Sequence, residues 1–182
     1  MDAEKKIVVG IGAGIAAFKS ATLVSRLVQA GHDVQVVMTP AAKQFIGAST
    51  LAALSGKAVA CDGFDPQQYP LGAHIEVIEA ADLLIVAPAT ADLLGKFAHG
   101  IADSLLTTVW LQAACPLLVA PAMSNRMWDK PAVQRNLTLL REDGVAMVGP
   151  NSGWLSCRQQ GAGRMSEPEA ILAAAEKIFS AR

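Results

Sequence analysis

The sequence predicts a single-domain α/β fold over residues 1–182, a doubly wound parallel sheet covered by helices on both faces. Three observations carry this. Short β-rich runs alternate with stretches of helical periodicity along the whole chain. Hydrophobic residues make up 52% of the chain but aromatics only 5%, so the core is built of Ala, Val, Leu and Ile, as in strands buried on both faces. The runs end in small or polar turns, the places where open α/β sheets bind ligands. At 182 residues the chain is long enough to bury a sizeable core of its own. The pattern is of the three-layer flavodoxin-like or Rossmann-like kind.

The first strand is Lys6 to Gly10 (KIVVG), and Ile15 to Ala30 carries apolar residues at helical spacing. Between them, Gly10-Ile11-Gly12-Ala13-Gly14 lets the backbone approach a ligand and leaves the helix-start N–H groups free for a phosphate. A dinucleotide fingerprint would need glycine where Ile15 stands and an acidic residue after the second strand. The second strand, Val34 to Met38, ends instead in Thr39, a hydroxyl suited to a phosphate oxygen. The reading is a mononucleotide phosphate site; the alternative is an ordinary tight turn.

Residues 41–55 contain the helical run LAALSG, ended by Gly56, and the polar stretch 57–72 is expected to cross the surface. His74 lies on a short turn or helix ahead of the apolar strand Asp82 to Ala87, which is counted as the fourth. Pro88 to Asp92 forms the turn that follows. Helices are expected over Leu93 to His99 and over Ala102 to Ala114, the latter opened by Asp103 and Ser104 as caps. A fifth strand, Pro116 to Ala120, leads into Pro121-Ala122-Met123-Ser124-Asn125-Arg126-Met127-Trp128. An amphipathic helix (Ala132 to Asp143), a sixth strand (Val145 to Val148) and a closing helix (Glu167 to Ser180) complete the order. Before that last helix, residues 149–165 (GPNSGWLSCRQQGAGRM) are glycine-rich and polar, and hold a lone cysteine, Cys157. Such a segment reads as a mobile loop that orders as a lid over something else, or as a solvated linker.

Composition excludes several classes. A net charge of −1 and the lack of a basic run argue against nucleic acid. No stretch of 18 apolar residues occurs and the N-terminus enters a strand directly, so no membrane span is expected and a cytoplasmic location is. Cys61, Cys115 and Cys157 form no CxxC pair and suggest neither a disulfide framework nor a metal site.

The string AHIEV, the run PATADLLGKFAHGIADSLLTT, the turn PAMSNRMW and the loop SCRQQGAGRM together resemble the flavin-containing cysteine decarboxylases, in the right order and nearly end to end. That resemblance implies FMN as cofactor. It places flavin contacts on Ala13, Gly14, Ile15, Thr39, Ala89, Thr90, Ala91, Asp92, Ser104 and Ala122. His74 and Cys157 match the family's catalytic histidine and lid cysteine, and Ser124, Asn125, Met127 and Arg164 fall among its substrate contacts. The implied substrate is phosphopantothenoylcysteine, decarboxylated by way of a thioaldehyde and an enethiolate to 4'-phosphopantetheine in coenzyme A biosynthesis. The implied assembly is a homotrimer or dodecamer with flavin sites between subunits.

The sequence departs from the family pattern in three places. Ser124 stands where the motif has an asparagine, with Asn125 one place later; Arg158 replaces the glycine after the lid cysteine; Gly12-Ala13 replaces the commoner Ser-Gly. Peptidyl-cysteine decarboxylation of the lantibiotic type and a non-catalytic flavoprotein regulator therefore stay open as alternatives. A flavin prenyltransferase is disfavoured, because that class lacks both a His74-type motif and a cysteine lid.

Overall fold

The computed structural model describes residues 4–61 and 67–181, so part of the expected surface crossing at 57–72 lies outside the described residues. Five parallel strands, β1 (Lys6–Ile11), β2 (Asp33–Met38), β3 (Leu83–Ala89), β4 (Leu117–Pro121) and β5 (Ala146–Met147), form one sheet in the order β2-β1-β3-β4-β5. The expected sheet is present, but the strand count is corrected. In chain order only β3 lies between β2 and β4 among the described residues, so the runs counted as fourth, fifth and sixth are third, fourth and fifth.

The helices are α1 (Ala17–Gln29), α2 (Ala48–Ser55), α3 (Ala73–Glu76), α4 (Ala91–Ala98), α5 (Leu105–Gln112), α6 (Asn125–Trp128), α7 (Pro131–Glu142) and α8 (Pro168–Ser180). Strand alternation sends successive residues to opposite faces. Ile7, Val9, Leu83 and Ile85 pack with Leu23 and Leu27 of α1 and Ile171 of α8. Val8, Leu84, Val86 and Val119 pack on the other face with Leu94 of α4, Leu106 of α5 and Leu137 of α7. Both sides of the sheet are thus dry, which explains strands that read as unbroken apolar runs. None of the described helices is long and apolar enough to cross a membrane.

Two local readings are corrected. Pro88 and Ala89, read as turn, still belong to β3, because beyond a bulge Ala89 pairs with Pro121 of β4. The segment 149–165 is not an irregular loop. It holds the antiparallel hairpin β6 (Asn151–Trp154) and β7 (Gln160–Arg164), in which Gly153 faces Gly161. Glycine is a poor strand former in isolation, so composition concealed a pairing that tertiary contact stabilises.

Candidate active site

The sheet order reverses direction between β1 and β3, and the carboxyl ends of the strands on either side open a crevice there. A cavity of about 830 Å³ occupies it, a size suited to a cofactor with a small substrate. Its floor begins where β1 gives way to the Gly12–Ala16 turn. The Gly12 amide donates to the Pro88 carbonyl at 3.2 Å, and a Cβ on Gly12 would stand 2.5 Å from that oxygen and 2.7 Å from Leu93 Cδ1. Gly12 is therefore fixed by packing. Gly14 is not, since a Cβ there would find Thr90 Cγ2 as its nearest neighbour at 3.9 Å. The space over Gly14 belongs to the cavity, as a backbone cradle for a ligand requires.

Four hydroxyl caps surround that cradle. Thr39 accepts from the Ala42 amide at 3.3 Å, Thr90 from Leu93 at 3.3 Å, Ser104 from Thr107 at 3.4 Å and Ser124 from Met127 at 3.4 Å. All four residues line the cavity. Each cap uses a lone pair of the hydroxyl, which leaves an O–H able to donate; Thr39 directs its own weakly to Ile11, at 3.4 Å. The positive ends of α4 and α5 add to the field. Small backbone, a ring of hydroxyls and helix starts together fit the phosphate and planar ring of a flavin mononucleotide.

The hairpin forms the roof. A Cβ on Gly161 would lie 2.9 Å from Asn125 Cβ, and the Met123 amide donates to the Gly163 carbonyl at 3.0 Å, so β7 rests glycine-side down on the Met123–Asn125 turn. At the tip, Leu155 closes a three-residue turn, accepting from Arg158 at 2.9 Å and donating to Gln159 at 2.8 Å. Arg158 holds φ 62°, the left-handed conformation that explains why the family pattern has glycine there. Cys157 is exposed on this turn and lines the cavity.

A buried ammonium fastens the roof to the floor. Lys19, on α1, donates to the Met165 carbonyl and to Glu167 Oε1, both at 2.9 Å. Arg164 Nη2 reaches the same carboxylate oxygen at 2.7 Å. The Lys19 hydrogen bond, followed by the Lys19 and Arg164 charges, holds the Glu167 carboxyl below its ordinary 4.5.

Most of the expected site residues meet in this one cavity. Ala13, Gly14, Ile15, Thr39, Thr90, Ala91, Asp92, Ser104 and Ala122 line its floor and sides, and Ser124, Met127, Cys157 and Arg164 its wall and roof. Three do not. Ala89 is fully buried and supports the site through its carbonyl, which accepts from Ala122 at 3.0 Å. Asn125 lies beneath Gly161, its Oδ1 buried with no partner among the described residues, so Ser124 and not Asn125 presents its side chain at the wall. His74, half-buried on α3, is folded back against Gly72 and is not among the lining residues. Sequence reasoning missed Lys19, Lys96, Phe18 and Trp154 as lining residues. Lys19 carried a signal: it occupies the same helical row as the buried Leu23 and Leu27.

The Flavoprotein family profile matches residues 1–180. The coenzyme A biosynthesis bifunctional protein CoaBC of Bacillus subtilis (strain 168) is 45% identical over 176 residues, which cover 97% of this chain and 43% of that protein. The chain thus spans less than half the length of that relative. Among solved structures, a mutant PPC decarboxylase complexed with pantothenoylaminoethenethiol superposes with TM-score 0.87 at 27% identity, covering 98% of this chain and all of that one. The FMN-dependent cysteine decarboxylase SpaF superposes with TM-score 0.77 at 32% identity, covering 95% and 98%.

Proposed function

This chain belongs to the Flavoprotein family, and on that premise we propose that it is an FMN-dependent carboxy-lyase that converts phosphopantothenoylcysteine to 4'-phosphopantetheine in coenzyme A biosynthesis. One observation carries the reading: the hairpin brings the Cys157 thiol into the same cavity as the open Gly14 cradle and its ring of hydroxyl caps. Direct decarboxylation of an acyl-cysteine would leave an unstabilised carbanion. Bound FMN supplies the temporary electron sink at the cysteine side chain that makes loss of carbon dioxide possible.

The chain's own residues bind, orient and move protons. The backbone at Gly14 with Thr39, Thr90 and Ser104 holds the cofactor. The Ser124 hydroxyl, still able to donate while capping α6, holds the substrate carboxylate near Met127. The His74 imidazole orients the thiol and takes its proton. The Cys157 thiol gives a proton to carbon in the last step, and the hairpin keeps water from the reacting atoms.

His74 lies outside the cavity of its own chain. We therefore assign the active unit to a homo-oligomer, a trimer or a multiple of trimers, in which His74 completes the cavity of a neighbouring subunit. A cytoplasmic location fits this metabolic role.

The test is an absorbance scan of the purified protein followed by mass spectrometry of its reaction with phosphopantothenoylcysteine. A flavin spectrum and loss of carbon dioxide are expected; a colourless protein that takes up no added FMN overturns the proposal. Turnover of a peptide with a C-terminal cysteine in preference to the small substrate would establish the rival peptidyl-cysteine reading.

A further inference from the structure

The charges lining the cavity are unevenly paired. Lys19 and Arg164 both serve Glu167 at the roof. On the opposite side two carboxylates, Asp92 and Asp103, stand next to the caps Thr90 and Ser104, and both reach one cation: Lys96 Nζ is 3.1 Å from Asp92 Oδ2 and 2.9 Å from Asp103 Oδ2. The Lys96 side chain is only 25% exposed. Asp103 above all, and then Asp92, raise the Lys96 pKa, and the hydrogen bond from Lys96 lowers that of Asp103, so the Lys96–Asp103 pair stays charged near neutrality. Asp92 lies in the first turn of α4 and Asp103 directly precedes the cap of α5, the positions where carboxylates compete with a bound anion for the helix-start field.

We propose that Lys96 is a positioning residue for the phosphate end of the flavin: by clamping Asp92 and Asp103 together it cancels two charges that would repel the phosphate and fixes the Ser104 cap beside it. This rests on the FMN reading. Removing the ammonium leaves two uncompensated carboxylates, Asp92 67% and Asp103 52% exposed, whose repulsion of the phosphate is strongest where salt screens it least. The effect falls on the phosphate and not on the ring.

The readout is flavin fluorescence quenching by the full chain, with FMN and riboflavin compared at two salt concentrations. Lys96→Met is expected to weaken FMN binding severalfold, most at low salt, while riboflavin affinity stays within about twofold. Lys96→Arg should retain wild-type affinity. Asp92→Asn/Asp103→Asn, which frees the ammonium, should tighten FMN severalfold and leave riboflavin unchanged. Equal losses for FMN and riboflavin in Lys96→Met, or no change in FMN affinity in either Lys96→Met or the double variant, would overturn the assignment. Wild-type protein that binds riboflavin but shows no preference for FMN overturns it as well, whereas wild-type protein that binds neither overturns the flavin reading beneath it.

Discussion

Met123 and Gly163 meet backbone to backbone. The Met123 amide donates to the Gly163 carbonyl at 3.0 Å, Gly163 holds φ 129°, and any side chain on Gly163 would run into the Met123 carbonyl. The wall that carries Ser124 and the roof that carries Cys157 are therefore one unit, joined where only glycine fits. Gly163→Ala has to lift the hairpin or strain it, at a cost on the order of 1–3 kcal/mol. Because undocking the hairpin limits that cost, the sensitive measurement is limited trypsin cleavage after Arg158. Gly163→Ala should be cut markedly faster than wild type while its far-ultraviolet dichroism is retained, and equal cleavage rates would show that the contact does not hold the roof.

The turn at the roof's tip carries strain that can be removed. Arg158 sits at φ 62°, where a side chain costs roughly 1–2 kcal/mol relative to the right-handed region. Glycine relieves this but adds freedom to the unfolded chain, so the net gain for Arg158→Gly is about 0.5–1 kcal/mol, or roughly 1–4 °C in melting temperature for a domain of this size. Arg158→Ala is the control, since it removes the charge and keeps the strained conformation. An alanine variant stabilised as much as the glycine variant would trace the effect to charge instead of backbone.

Acid should loosen the roof before it unfolds the sheet. Glu167 has a folded pKa below its ordinary 4.5, chiefly through the hydrogen bond from Lys19. A depressed carboxyl contributes stability that is present above the unfolded pKa and is lost as pH falls from about 4.5 through the folded value. Glu167 is half exposed, so solvent screens much of the effect. The wild-type melting temperature should exceed that of Glu167→Gln at pH 7, and the gap should close below pH 4.5. A gap independent of pH would mean that Glu167 acts by packing alone.

What the sequence disclosed and what it concealed have separate physical causes. The floor was readable because local chemistry determines it: the glycine turn after β1 and the Ser104 cap with Thr107 behind it each act within a few residues. The roof was not, since Gly153, Gly161 and Gly163 look like loop residues until the turn beneath them is known, when their missing side chains become the reason the strands can dock. The choice between Ser124 and Asn125 was equally closed to inspection, because it depends on Gly161 lying over Asn125. The pairing of Lys96 with Asp103 joins α4 to the cap of α5 across a turn, and a spacing of seven residues gives no hint of it.

His74 and Cys157 are expected to act from different chains, and the assembly can be made to report this. Chains carrying His74→Asn alone should bind FMN yet release no carbon dioxide. Chains carrying Cys157→Ser alone should stop at a product lighter than the final one by two hydrogens. Neither turns over fully, but co-expression produces mixed oligomers in which some cavities take an intact His74 from one variant and an intact Cys157 from the other. With random mixing of equal amounts, about a quarter of the cavities are complete if the two residues come from neighbouring subunits, and none are if they come from the same chain. Complete turnover at about a quarter of the wild-type rate is the expected result. Its absence, in a mixture shown by native mass spectrometry to contain hybrid oligomers, would place both residues on one chain and require α3 to move toward the cavity during the reaction.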